Sequence, residues 1–76
     1  MDYAKIFASN MRKARHSLGM SQEELGEACE LTRNHIGTIE RGEHSPRLET
    51  MAAIAKALGI LLPDMLKSDM KKPASS

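Results

Sequence analysis

Hydrogen-bonding side chains are concentrated in one short stretch of the chain, LTRNHIGTIERG, at residues 31–42. If this stretch forms a helix, three of these side chains share one face, and acidic residues are absent from that face. They are Arg33, Asn34 and Thr38. Arginine and asparagine suit paired hydrogen bonds to guanine and adenine edges in the major groove. The stretch therefore predicts recognition of double-stranded DNA rather than a covalent reaction.

Two other residues of the stretch each leave two interpretations open. Gly37 lies on the same face, where a glycine costs roughly 1 kcal/mol relative to alanine in a helix interior. Its missing side chain either allows closer approach to DNA or marks a weak position that the helix tolerates. His35 lies at the edge of the face and either contacts a DNA phosphate or is simply solvated.

The residues before Gly42 show the patterns of three helices. Apolar residues at helical spacing predict the first over residues 3–18, with Gly19 as its stop. They are Phe7, Met11, Ala14 and Leu18. The sequence SQEE at 21–24 predicts a capping box for a second helix that ends near Cys29. Thr32 is a suitable N-cap for the third helix.

Two more helices are predicted after the loop GEHSPR. The fourth ends at Gly59 and is apolar over most of its surface, which indicates a central, mostly buried element. Its main apolar residues are Leu48, Met51, Ile54, Ala55 and Leu58. A short fifth helix is predicted from about Leu62 to Lys67, with Asp64 in its first turn. The prediction is an all-α chain, with one compact five-helix domain at 1–67 and a flexible tail at 68–76.

Two charged residues occupy faces that should pack. Arg15 lies beside the apolar stripe of the first helix, and Glu40 lies beside Ile36 and Ile39 on the third. An ion pair between Arg15 and Glu40 would satisfy both charges and would clamp the third helix. The alternative is two separately solvated charges.

Composition limits the classes of protein that the chain could belong to. The 76 residues carry a formal net charge of only +1, so a basic surface for DNA must be local. A domain this small buries only about 60% of the surface of its unfolded chain and would gain from dimerising. A single cysteine, no apolar run of about 18 residues and no signal-peptide region predict a cytoplasmic protein without a membrane span.

Catalytic and metal-binding patterns are missing from the sequence. The three histidines are separated by gaps of 19 and 9 residues, whereas zinc sites use closely spaced ligand pairs. Cys29 is better explained as a small core residue. Because no nucleophile–base order and no glycine-rich phosphate loop occur, we predict no metal, no cofactor and no enzymatic activity.

The spacing of the second and third helices is that of a helix-turn-helix unit. The sequence MSQEELGEACELTRNHIGTIERGEHSPRLETMAAIAKALGI resembles the lambda-repressor-like family, also called the xenobiotic-response-element type, and the similarity spans residues 6–66. The resemblance implies a five-helix domain with the helix-turn-helix formed by helices 2 and 3. It also implies binding to duplex DNA as a homodimer and regulation of transcription.

Carried over by position, the resemblance assigns roles to particular residues. It makes Arg33, Asn34 and Thr38 the residues that contact bases. It makes Gln22 and Thr32 phosphate contacts, with Arg41 and the loop after it nearby. It supports the Arg15–Glu40 pair and places the dimer contact at residues 60–66.

The chain departs from the family pattern at three positions. Glu30 stands where the turn usually has glycine, so it is expected to be forced toward a left-handed conformation. Gly26 replaces the usual alanine of the second helix. Leu61 replaces a polar cap and, with Leu62 and Met65, forms either a dimer patch or only a slightly apolar surface.

These patterns predict a homodimeric, sequence-specific regulator that places its third helix in the major groove of a pseudo-palindromic operator. As a stand-alone domain it resembles a phage repressor or a controller protein of a restriction–modification system. The acidic side chains of the second helix form a solvated face or contact a protein such as RNA polymerase. They are Glu23, Glu24 and Glu27. The alternative function is an antitoxin-like protein-interaction module in which DNA binding is secondary.

Overall fold

The computed structural model describes residues 2–68, and every regular element within that range is a helix. The helices are α1 (Tyr3–Ser17), α2 (Gln22–Cys29), α3 (Arg33–Glu40), α4 (Leu48–Leu58) and α5 (Leu62–Met65). The predicted all-α, five-helix fold is therefore confirmed. Apart from Ser68, the predicted flexible tail lies outside the described residues.

The two short helices of the helix-turn-helix begin at well-formed caps. The Ser21 hydroxyl accepts from the backbone N–H of Glu24 at 3.0 Å, and the Glu24 carboxylate accepts from the backbone N–H of Ser21 at 2.8 Å. The Thr32 hydroxyl accepts from the backbone N–H of His35 at 3.0 Å. Because helices of this length are marginal in isolation, such caps matter for where each helix begins.

The turn between α2 and α3 is unusually close to the α2 backbone. Glu30 adopts a left-handed conformation with φ of 61°, as its sequence position predicts. The backbone N–H of Leu31 donates to the Gly26 carbonyl at 2.8 Å. A Cβ on Gly26 would lie 2.5 Å from the carbonyl oxygen of Leu31, so even alanine would not fit without a shift. Gly26 therefore permits the close contact between α2 and the turn.

The apolar core receives side chains from all five helices. It consists of Phe7, Met11, Ala14, Leu25, Ile36, Ile39, Ile54, Ala55, Leu58 and Met65. Two expectations of burial were wrong. Leu18 is the exposed C-cap of α1 rather than part of its packing stripe. Leu48 is 65% exposed because it lies at the start of α4, and helix α4 is buried only along one side.

A buried polar residue joins the two ends of the domain. The side-chain nitrogen of Asn10 in α1 donates to the backbone carbonyls of Met65 and Lys67, each at 2.8 Å. Asn10 is almost completely buried, so these bonds satisfy an amide that would otherwise be costly to desolvate. The end of α5 is thereby attached to α1.

Candidate nucleic-acid interface

One side of α3 packs into the core and the other carries polar side chains. Ile36 and Ile39 are fully buried, whereas Arg33 and Asn34 are exposed. Thr38 is half-buried, and its hydroxyl donates to the His35 carbonyl at 2.9 Å. The hydroxyl oxygen and methyl group of Thr38 thus remain as its means of contacting a ligand.

The ion pair expected between Arg15 and Glu40 is present and buried. Nε of Arg15 donates to Oε2 of Glu40 at 2.7 Å, and Nη2 donates to Oε1 at 3.1 Å. Nη1 of Arg15 also donates to the Met20 carbonyl at 2.9 Å. Nε2 of Gln22 donates to Oε1 of Glu40 at 3.1 Å. The Glu40 carboxylate therefore links α3 to both α1 and α2.

Gln22, one of the predicted phosphate contacts, also borders a shallow surface depression beside Arg33. The depression is lined by Arg15, Ser21, Gln22, Glu23 and Arg33. Because an amide nitrogen has two N–H groups, Gln22 retains one for a ligand after donating to Glu40. The structure thus brings Gln22 and Arg33, which belong to different helices, to a single concave surface.

Gly37 is not an open gap on the exposed face of α3. A Cβ at this position would lie 3.1 Å from Nη1 of Arg41 and 3.9 Å from Nε2 of Gln22. The space above the glycine is filled by the Arg41 guanidinium, and Gly37 is buried beneath it. Its missing side chain therefore provides room for Arg41, an interpretation that helical periodicity alone did not suggest.

Arg41, another predicted phosphate contact, is held by Glu43, for which the sequence pattern predicts no role. Its Nε and Nη2 donate to the two carboxylate oxygens of Glu43 at 3.0 and 3.2 Å. The hydrogen bonds and, to a lesser degree, the opposite charge lower the pKa of the Glu43 carboxyl and raise the pKa of Arg41. Both side chains are 58% exposed.

The remaining predicted phosphate contacts lie at the N-terminal end of α3. Thr32 is exposed, and its oxygen caps the helix while its hydroxyl hydrogen can still donate. The half-buried ring of His35 makes an edge-to-face contact with His44, with the ring centroids 5.1 Å apart. His44 was not predicted to take part, and this contact places the α3–α4 loop against the first turn of α3.

The predicted apolar patch near α5 differs from expectation in one member. Leu61 is 73% exposed and Leu62 is half-buried, but Met65 is fully buried. The assignment of Met65 to an exposed patch was wrong, because its side chain belongs to the core of its own protomer. The exposed apolar surface is therefore centred on Leu61.

Three further features of residues 2–68 concern metal binding, the cysteine thiol and membrane insertion. No group of three or more potential ligand side chains is placed to hold a metal ion in this part of the chain. Burial raises the pKa of the Cys29 thiol, which donates to the Leu25 carbonyl at 3.1 Å. None of the described helices has the length and apolar character needed to cross a membrane.

Comparison with known proteins identifies the family of the chain and several of its relatives. The profile of the helix-turn-helix family matches residues 11–64. Control protein C.SmaI of Serratia marcescens is 41% identical over 66 residues, covering 87% of this chain and 79% of that protein. The crystal structure of the hypothetical transcription factor NHTF from Neisseria superposes with a TM-score of 0.83 at 35% identity, over 87% of this chain and 76% of that one. The P22 c2 repressor, solved in complex with a synthetic operator, gives a TM-score of 0.77 at 30% identity, over 83% and 96% of the two chains.

Proposed function

Because this chain belongs to the helix-turn-helix family, we propose that it is a sequence-specific transcriptional regulator. It binds a pseudo-palindromic operator as a homodimer, with α3 of each protomer in a major groove. Dimers of this kind contact half-sites about 34 Å apart, or a multiple of that distance. The likeness to a protein solved on operator DNA supports this proposal.

The observation that carries the proposal is the attachment of α3 through Glu40. Direct recognition of bases requires donors held at fixed positions, since paired hydrogen bonds depend on geometry. The Arg15 and Gln22 bonds to Glu40 fix the rotation of α3 from its buried side. The exposed Arg33 and Asn34, in the first turn of the same helix, are then presented from a backbone of fixed orientation.

The proposed contacts divide into two classes. Arg33, Asn34 and Thr38 contact base edges and determine sequence preference. The residues proposed to contact phosphates surround them on α2, at the start of α3 and at its end. They are Gln22, Thr32, His35 and Arg41. Phosphate contacts of this type set the position of a protein on DNA without specifying sequence.

The homodimer would form through the apolar surface at Leu61 and Leu62. An exposed leucine next to a half-buried one is a surface that a two-fold symmetric contact could cover in both protomers. The same surface could instead receive a different protein, as in an antitoxin. Sedimentation of the purified chain distinguishes the two kinds of partner. A discrete dimer supports self-association, whereas a monomer favours a different protein.

The likeness to Control protein C.SmaI, and to the solved restriction-modification controller protein C.AhdI from Aeromonas hydrophila, supports a narrower role, control of a restriction–modification system. In such a role the occupancy of the operator follows the concentration of the protein. The exposed acidic face of α2 is available to contact RNA polymerase from the bound operator. It comprises Glu23, Glu24 and Glu27.

Selection of binding sites from a random duplex pool, at near-physiological salt, tests the proposal. We expect an inverted repeat with one fixed centre-to-centre spacing. Selection with Arg33→Ala should yield an inverted repeat that is degenerate at one base position in each half. Selection with Leu61→Ser should yield half-sites without a fixed spacing. A pool that does not converge would contradict the proposed function and would indicate purely electrostatic binding.

A further inference from the structure

The guanidinium of Arg41 lies between Gly37 on one side and the Glu43 carboxylate on the other, and this limits which of its N–H groups can bind a DNA phosphate. Its Nη1 lies over Gly37, at 3.1 Å from where a Cβ would be. The opposite edge of the guanidinium, formed by Nε and Nη2, is bound by both oxygens of Glu43. Glu43 thus occupies the Nε/Nη2 edge, one of the two paired-donor edges of the guanidinium, while Nη1 lies against α3 at Gly37.

The edge bound by Glu43 is the one that a phosphate would use. Arginine binds carboxylate and phosphate groups through the same two parallel N–H donors. A carboxylate and a phosphate cannot occupy that edge together, and Nη1 is directed against the helix at Gly37. A contact between Arg41 and the DNA backbone through this edge therefore requires Glu43 to leave.

We propose that Glu43 is an internal substitute for a DNA phosphate, which holds Arg41 in the unbound protein and releases it when Arg41 contacts the backbone. Glu43 then limits the affinity for DNA through Arg41. This inference rests on the proposed function, because it concerns how the protein binds duplex DNA.

The strength of the pair suits an exchange of this kind. Both side chains are 58% exposed, and exposed ion pairs change an equilibrium constant by only about two- to five-fold. A pair of that strength keeps Arg41 on the end of α3 yet yields to a phosphate. Gly37 leaves room for the guanidinium in this position, since a Cβ there would lie 3.1 Å from Nη1 of Arg41.

Glu43 could also weaken DNA binding without Arg41, simply by repelling phosphates. A double-mutant cycle separates the two causes. Glu43→Gln, Arg41→Ala and the double variant are compared with the wild type on the selected duplex and on a random duplex. Glu27→Gln, at an exposed position of α2, controls for the change in net charge.

We expect Glu43→Gln to bind both duplexes roughly two- to five-fold more tightly, with no such gain when Arg41 is already alanine. Arg41→Ala should reduce the slope of log K against log salt by about 1, since one phosphate contact is lost. Glu27→Gln should not reproduce the gain.

Three results would overturn the inference. An equal gain in the Arg41→Ala background would assign the effect to repulsion alone. No gain from Glu43→Gln, in variants that still select the operator, would remove this inference and leave the proposed function standing. Failure of every variant to bind either duplex would remove both.

Discussion

The carboxylate of Glu40 accepts two hydrogen bonds from the guanidinium of Arg15, at 2.7 and 3.1 Å, across 25 residues of sequence. Both residues are less than a tenth exposed. Among the described residues no buried side-chain nitrogen or oxygen is left without a hydrogen-bond partner, so the desolvation of this pair is compensated. The pair connects the core of the domain to the helix proposed to contact bases.

Glu40→Ala should lower the free energy of unfolding by about 3–5 kcal/mol, because it leaves the Arg15 charge buried without its partner. Urea unfolding followed by circular dichroism measures the loss. In the double variant Arg15→Met/Glu40→Leu, both charges are replaced by apolar groups, so much of the stability should return. A Glu40→Ala loss below about 1 kcal/mol, as for an exposed pair, would contradict the structural role.

The sequence pattern predicts this pair, but it does not predict the hydrogen bonds of Asn10 or the ion pair between Arg41 and Glu43. The reason is physical. Helical periodicity places Arg15 and Glu40 on the packing sides of their helices, where each charge requires a partner. The bonds of Asn10 go to backbone carbonyls 55 and 57 residues away, which no side-chain pattern indicates. Glu43 lies in a loop, where periodicity gives no direction, so its capture of Arg41 could not be predicted.

The fifth helix is too short for its sequence pattern to define which side faces the core. It spans only four residues, little more than one turn, so its apolar pattern cannot define an inward face. Leu61, Leu62 and Met65 were predicted to form one patch, yet Met65 is buried while Leu61 is exposed. In contrast, the longer helices and the caps at Ser21 and Thr32 form where the sequence predicts them. Their positions depend on apolar spacing and on hydrogen bonds between residues close in sequence.

Replacing two helical glycines by alanine should have opposite effects. Gly26→Ala would place a Cβ 2.5 Å from a backbone carbonyl, so it should destabilise by about 1–3 kcal/mol despite the better helix propensity of alanine. Gly37→Ala meets the flexible end of Arg41 at 3.1 Å and Nε2 of Gln22 at an ordinary contact distance of 3.9 Å, so it should be neutral or stabilise by up to about 1 kcal/mol. Thermal unfolding of both variants checks this, and equal effects would be inconsistent with the close turn.

Glu30→Gly should stabilise the domain, because Glu30 is held at φ of 61°, where glycine has no steric cost. We expect a gain of about 0.5–1 kcal/mol after allowing for the greater freedom of glycine in the unfolded chain. Glu30→Ala is the matched control, since it removes the charge but keeps the Cβ and the strain. Urea unfolding should therefore separate the two variants, and similar stabilities would argue against strain at this turn.

The Glu43 carboxyl should titrate below its ordinary range, since hydrogen bonds and charge from Arg41 lower its pKa. A folded-state pKa below the unfolded one means that the pair contributes above the unfolded-state pKa of about 4.3 and is lost as pH falls through the folded value. Because the pair is exposed, NMR titration of the Glu43 side-chain carbon is the suitable measurement. The midpoint should rise toward the ordinary value in Arg41→Ala, and an unchanged midpoint would contradict the pairing.

Substitutions in the two classes of proposed DNA contact should affect binding differently. Arg33→Ala should cost about 1–3 kcal/mol on the selected operator and relax preference at one base position, since Arg33 is proposed to hydrogen-bond a base edge. Gln22→Ala should weaken the selected and random duplexes alike, because a phosphate contact carries no sequence information. Fluorescence anisotropy with both duplexes at two salt concentrations distinguishes these patterns. Because Gln22 also donates to Glu40, circular dichroism must show that the Gln22→Ala variant is folded. Equal losses on both duplexes for Arg33→Ala would place Arg33 among the phosphate contacts instead.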